Sequence, residues 1–446
     1  MKPKLIINGT LVSSSSSVKE DLLIENGRIT SRGILDPKDH LQSDIIDADG
    51  KLIFPGGIDP HVHLALPTPA GPSSDDFISG STAAVAGGTT TIIDFVTPRR
   101  GQSLLEALSM RRAEASGCRI EYRLHMGISE WNSSVAAEVI PCIEKEKIIS
   151  FKAYLAYRDT IGIRYPELEQ LMEVAGPAGG LVMVHCEDGE MISRLQKEFL
   201  LKGQTHACYH ALSHPAEAEI RAVEKVIELS GKTGCRVYIV HTSTRQATEA
   251  IAAAKRSGFK INAETCPHYL LLDEAVYDEK QNNLHVLPYV VSPPMRKFDD
   301  REYLWKGLAD GTFDTVATDH CPFNLHGQKD QGLLDFTKIP NGAGSIEHRL
   351  TLLYTYGVLT NKITLNQFVS LTSERAAEIF GMAGRKGKLE IGYDADVVIW
   401  NPEAKKIITA ENHVMNCDSD IYDGFPVQGC PEAVMAKGEI LFRAGN

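Results

Sequence analysis

The sequence predicts a parallel (β/α)8 barrel of the TIM type, carrying a small β-sandwich domain built from both ends of the chain. Three observations lead there. Between about residues 54 and 385, short apolar runs alternate with longer helix-like stretches. Both ends instead read as short strands separated by tight turns. Several central apolar runs also finish in a histidine or an aspartate, where barrel enzymes keep their catalytic groups. With 446 residues the chain can bury one large and one smaller core. The expected organisation is 1–53 and 386–446 as two parts of the small β domain, around a barrel at 54–385.

From the N-terminus, Leu5-Ile6-Ile7 stops at Asn8-Gly9 and Leu22-Leu23-Ile24 stops at Asn26-Gly27, dipeptides that strongly favour hairpin turns. The serine run 13–17 reads as a solvated hairpin tip. Lys51-Leu52-Ile53-Phe54 is an apolar strand broken by Pro55-Gly56-Gly57, after which Ile58-Asp59-Pro60-His61-Val62-His63 runs extended. Seven further strand candidates follow at 90–95, 121–126, 150–155, 181–185, 237–241, 260–264 and 315–319. Helical stretches at 103–115, 216–229 and 244–257 lie between them. The chain closes with a strand-like run at 395–400 and a hairpin-like one at 433–442.

Composition narrows the class. The net charge is −12, from 46 basic and 58 acidic residues, and no Lys/Arg-rich block stands out, so a nucleic-acid or anionic-membrane surface is not expected. Nine cysteines are scattered without Cys-x-x-Cys pairs, which predicts reduced thiols and a cytoplasmic protein. The N-terminal apolar run is too short for a signal peptide, and no run approaches the roughly 20 residues of a membrane span.

The chemistry gathers at strand ends. Side chains alternate faces along extended chain, so His61 and His63 point the same way and can grip one ion. By itself His-x-His is a weak signal. His185, His241 and Asp319, each at the C-terminal end of its own apolar run, supply the partners that a barrel would bring together. Imidazole and carboxylate ligands suit a borderline divalent ion such as zinc, and an aspartate beside it can serve as general base. Lys152, inside Ser150-Phe151-Lys152-Ala153-Tyr154, is either a lysine reaching solvent or one converted by CO2 into a metal-bridging anion.

Other clusters invite blander readings. His206, His210 and His214 recur at helical spacing, but Pro215 follows and a packed helix face or loop is expected. Cys186, Cys266 and Cys321 read as small packed thiols. Glu187 and Asp188 read as solvated loop residues after a strand.

The segments Gly57-Ile58-Asp59-Pro60-His61-Val62-His63, Phe151-Lys152-Ala153-Tyr154-Leu155-Ala156-Tyr157, Val184-His185-Cys186-Glu187-Asp188-Gly189, Val240-His241-Thr242-Ser243, Glu264-Thr265-Cys266-Pro267-His268-Tyr269-Leu270, Ser292-Pro293-Pro294-Met295-Arg296, Thr318-Asp319-His320-Cys321 and Phe336-Thr337-Lys338-Ile339-Pro340-Asn341-Gly342 occur in this order. Together they resemble the dihydropyrimidinase and hydantoinase family of cyclic amidohydrolases, from about residue 5 to about 443. The resemblance implies two divalent metal ions, usually zinc, with His61, His63 and Asp319 on one, His185 and His241 on the other, and carboxylated Lys152 bridging both. It further implies Tyr157 as oxyanion partner, Ser292 and Asn341 as substrate-amide contacts, a small cyclic amide or imide as substrate, a role in pyrimidine degradation, and a homo-oligomer. A homotetramer is usual, but this chain ends at Asn446, short of the longer tail that contacts a neighbour in many members, so a dimer stays open.

Three relatives bound the reading. Dihydroorotases carry an arginine just after the histidine pair, where this chain has Leu64-Ala65. Allantoinase is the enzymatic alternative, set against the expectation that Leu64 and Leu66 line a pocket for apolar substituents. Non-catalytic scaffold relatives have lost metal ligands, whereas all six ligand positions here carry a competent residue. The segments 64–75 and 158–164 are expected to set which ring substituent is accepted.

Overall fold

The computed structural model of the chain describes residues 2–157 and 160–445. Eight parallel strands follow one another in sequence order around a barrel: β1 (Gly57–Val62), β2 (Thr89–Val96), β3 (Glu121–Ile128), β4 (Ser150–Tyr154), β5 (Leu181–His185), β6 (Arg236–Ile239), β7 (Ile261–Thr265) and β8 (Thr315–Val316). Every residue of β1, β2, β4 and β5 is buried, which is why these strands read as near-continuous apolar runs rather than alternating ones. Helices pack outside. Leu104–Glu114 starts where Ser103 Oγ accepts the Glu106 N–H, Ala216–Thr233 stops at left-handed Gly234, and Arg245–Arg256 starts where Thr244 Oγ1 accepts the Ala247 N–H.

The last strand is too short to close the barrel by itself. Closure comes just beyond it, where Val62 bridges His320 in parallel and the His63 N–H donates to the His320 carbonyl at 2.8 Å. Near the other end of this seam, fully buried Arg349 donates to the carbonyls of Ile58 and Val316 at 2.8 and 3.1 Å and to Thr89 Oγ1 at 3.1 Å. One guanidinium thereby joins β1, β2 and β8.

The chain ends form two sheets packed face to face. One has four strands, in the order Arg28–Gly33, Asp21–Glu25, Lys4–Ile7, Asp44–Asp47. The other has six and draws on both ends: Glu439–Arg443, Pro426–Ala436, Val397–Ile407, Leu52–Pro55, Thr10–Val12, Ser17–Lys19. Ile6, Leu22, Ile24, Ile53, Val397, Ile399 and Met435 fill the space between them. Asn8 and Asn26 take the left-handed backbone that their turns require, at φ 66° and 51°. The serine run is the tip of the Thr10–Val12 hairpin, with the Ser13 N–H donating to the Ser16 carbonyl. Gly56 is the single residue between Leu52–Pro55 and β1, and a Cβ there would stand 2.1 Å from Thr90 Oγ1. Among the described residues, no helix is long and apolar enough to cross a membrane.

Candidate active site

The six expected ligands converge at the C-terminal mouth of the barrel. His61 ends its run on β1 and His63 follows past the strand; their Nε2 atoms lie 3.2 Å apart, and each stands beside Asp319 Oδ1, at 3.1 and 3.2 Å. Across the mouth, His185 Nδ1 from the end of β5 lies 3.0 Å from Nε2 of His241, just past β6. One ligand atom each from His61, His241 and Asp319 falls within 4.8 Å of the others, so the two groups adjoin. Lys152, in mid-β4, is fully buried, and its Nζ has no hydrogen-bond partner among the described residues. The ammonium rests 5.3 and 5.2 Å from the ring centroids of Phe95 and Tyr154, so the solvent-reaching alternative is excluded.

The backbone is bent to aim these groups. Tyr157, His241 and Asp319 have φ values of 56°, 38° and 50°, three of the nine non-glycine residues with positive φ among the described residues. Such conformations cost about 1–3 kcal/mol each and persist where the surroundings impose them, commonly at functional sites. Asp59 supplies part of that constraint. It is buried, accepts the Thr318 N–H at 3.2 Å and the Thr318 hydroxyl at 2.6 Å, and so moors the turn that presents Asp319.

Behind the ligands lies a set of carboxylates. Glu264 at the end of β7 bonds Nδ1 of His61, accepts from the Tyr238 hydroxyl at 2.6 Å and takes the His241 N–H at 3.2 Å. Glu187 corrects the expectation of a solvated loop acid: it is fully buried, 3.0 Å from Nε2 of His185 and 3.2 Å from Nδ1 of His214. Asp188 instead caps the helix Gly189–Leu201. Carboxylates on the far nitrogen of ligating histidines fix tautomer and ring orientation. In sequence both acids look like any polar residue near a strand end; their partners are named only by the fold.

Electrostatics follow from burial and pairing. Burial pushes the Lys152 ammonium down to about 8 and the His63 imidazolium down to about 4. Burial also opposes protonation of His61, but Glu264 and Asp319 outweigh it and raise that group to about 9. Asp319 is held well below the usual carboxylate range, because His61 and His63 overcome its own desolvation.

Tyr157 stands on the same side as His185, with ring centroids 5.4 Å apart. Burial raises its phenol, while hydrogen bonding to Ser292 and Asn341 works in the opposite direction, so these three side chains adjoin as expected. Asn341 Nδ2 donates to Ser292 Oγ at 3.0 Å, and His210 Nε2 stands 3.3 Å from the same hydroxyl and 2.9 Å from the Val291 carbonyl. His210 and His214 are thus buried supporting residues, and His206 lies apart, against the Gln281 carbonyl. All nine cysteines are free, and burial holds the thiols of Cys186, Cys266 and Cys321 above their ordinary value. Leu64 is fully buried against Gly80 of the helix Phe77–Ala86, whereas Leu66 is half-buried. Arg158 and Asp159, in the second selecting segment, lie outside the described residues.

The donor set fits metal. His61, His63 and Asp319 present N, N and O atoms at mutual spacings of 3.1 to 3.2 Å, close to the roughly 3.3 Å edge of a tetrahedron whose bonds are about 2.0–2.1 Å. His185 and His241 form a second pair, and Lys152 is a buried ammonium with no hydrogen-bond partner among the described residues, near enough for its charge to act on His61, His63, His185 and His241.

Comparison with known proteins agrees with this geometry. The amidohydrolase family profile matches residues 52–441, and the chain belongs to that family. Within it, the chain is a cyclic amidohydrolase of the dihydropyrimidinase and D-hydantoinase group. It is 42% identical to the D-hydantoinase of Geobacillus stearothermophilus over 99% of this chain and 93% of that one. It is 36% identical to the dihydropyrimidinase of Rattus norvegicus over 99% of this chain and 86% of that one. The crystal structure of dihydropyrimidinase from Brevibacillus agri superimposes with a TM-score of 0.96, at 38% identity, covering 99% of this chain and 95% of that one. These relatives favour the hydantoin and dihydropyrimidine reading over allantoinase, dihydroorotase and a non-catalytic scaffold.

Proposed function

We propose that the protein opens the cyclic amide of dihydropyrimidines or 5-substituted hydantoins to N-carbamoyl amino acids, using two divalent metal ions. The convergence of His61, His63, Lys152, His185, His241 and Asp319 at one buried mouth carries this reading. His61, His63 and Asp319 would hold one ion, His185 and His241 the other, with carboxylated Lys152 bridging them. An unpaired lysine at about 8 keeps a share of neutral amine near physiological pH, the form that adds CO2. Zinc is the expected metal for these donors. When bound, the ions supply an acidified water and a Lewis acid for the amide carbonyl.

The chain's own groups do the rest. Asp319, held ionised and the least buried of the six ligands, takes the proton of the attacking water and delivers it to the departing ring nitrogen. Tyr157 stays protonated because burial raises its phenol, so its hydroxyl donates to the oxyanion. Ser292 and Asn341 grip the amide edge of the ring. A cytoplasmic homotetramer acting in pyrimidine degradation accords with the same group; a light-scattering mass distinguishes it from a dimer.

The deciding experiment is a substrate panel with the zinc-loaded protein: dihydrouracil, hydantoin, 5-phenylhydantoin, allantoin and dihydroorotate, followed by ring-opening absorbance. Turnover of one or more of the first three is expected. Exclusive turnover of allantoin would overturn the reading.

A further inference from the structure

Lys329 has no part in the chemistry above, yet its placement is unusual. The side chain is 1% exposed, and no carboxylate among the described residues pairs with it. Its Nζ donates to two backbone carbonyls, Val290 at 2.9 Å and Pro340 at 3.2 Å. Val290 stands two residues before Ser292, and Pro340 immediately before Asn341. The Val290 carbonyl also accepts the Gly342 N–H at 3.0 Å, so the two segments are tied on both sides of Asn341. Gly342 holds φ at 147°, and a Cβ there would stand 2.3 Å from the Cys321 carbonyl oxygen.

A buried, unpaired ammonium is an expensive way to fill space. Burial pushes this one down to about 7, against an ordinary value of 10.5. A methionine or leucine could fill the volume without that cost, so the donors are what the position requires.

We propose that Lys329 is a positioning residue for substrate recognition: its ammonium locks the segment bearing Ser292 to the segment bearing Asn341 and fixes the spacing of the groups that grip the cyclic amide. The proposal rests on the reading of Ser292 and Asn341 as substrate contacts. Lys329 bonds the backbone beside Ser292 and Asn341 and acts through these two side chains. Losing it should weaken binding of substrate and transition state alike, which raises KM and leaves kcat nearly intact.

The test compares Lys329→Met and Lys329→Gln in the metal-loaded enzyme, on whichever of dihydrouracil or 5-phenylhydantoin the wild type turns over. Lys329→Met is expected to raise KM about tenfold with kcat within about threefold. Lys329→Gln, which can still donate to one carbonyl, should recover part of the loss. In an Asn341→Ala background, Lys329→Met should add less than about twofold to KM, since the spacing no longer matters. Amide exchange around Gly342, read without substrate, should quicken in Lys329→Met. Wild-type KM with unchanged exchange, a loss confined to kcat, or independent effects in the double variant would each overturn the proposal. If Lys329→Met does not fold, Lys329→Gln carries the same comparisons. If the wild type opens no cyclic amide, the functional reading falls and the substrate role with it, while exchange at Gly342 still decides whether Lys329 clamps the two segments.

Discussion

Glu264 bonds Nδ1 of His61 from a position 203 residues further along the chain. That bond directs Nε2 of His61 toward His63 and Asp319, while the same carboxylate takes the Tyr238 hydroxyl and the His241 N–H. One acid therefore orients the His61 ring and ties down the His241 backbone, one residue from each proposed metal group. Glu264→Gln is expected to weaken metal affinity by roughly 10–100-fold, the usual cost of removing such a partner. Competition with a chelator measures it, and undiminished affinity would show that His61 is oriented by other means.

Asp319→Asn preserves shape and keeps an oxygen ligand but removes the proton acceptor. The variant should retain at least part of its metal by elemental analysis and lose turnover by several orders of magnitude, at or beyond the upper end of the roughly 10²–10⁴-fold that general base catalysis contributes. Near-native kcat would sink the assignment.

Lys152→Ala removes the side chain proposed to bridge the two histidine sets. Metal content should collapse and activity with it, and a short carboxylic acid added to the medium should restore both in part, by occupying the space the side chain leaves. Metal retention without added acid would argue against a bridging anion.

Acid should loosen the junction between barrel and small domain. Glu121, first residue of β3, bonds Arg385 and lies 3.4 and 3.3 Å from the ammonium groups of Lys386 and Lys437. Burial works to raise its carboxyl, but these partners hold it at about 2, below the ordinary 4.5. A depressed folded-state value stabilises the fold fully above about pH 4.5, and the contribution is lost as pH falls toward 2. Discounted for partial solvent access, it is about 1–2 kcal/mol. Glu121→Gln should therefore lower Tm at pH 6 and converge on the wild type near pH 2.5; parallel curves would assign the effect elsewhere.

Much of this was legible in the chain itself. All eight barrel strands lie within or overlap their expected runs, because strands buried on both faces leave uninterrupted apolar stretches. His61, His63, His185, His241 and Asp319 could be picked out because a polar residue closing an apolar run has little reason to be there otherwise. The supporting residues were not legible. Glu264 acts on His61, 203 residues away, and Glu187 on His214, 27 residues away, as well as on neighbouring His185, and nothing local separates a buried acid from a solvated one. The packing of Leu64 on Gly80 could not be read from its place next to His63 in sequence either. Nor does sequence announce a left-handed tyrosine or histidine, since the rest of the fold imposes those angles at Tyr157 and His241.

The single residue between Leu52–Pro55 and β1 limits what can be trimmed away. Gly56 is wedged against Thr90, its N–H donates to the Asp396 carbonyl at 2.8 Å, and its own carbonyl accepts the Ser373 hydroxyl at 2.7 Å. With no slack there, a shift of the small domain is transmitted along β1 to His61. A minimal catalyst made by deleting both termini would lose the anchor of the strand that carries His61.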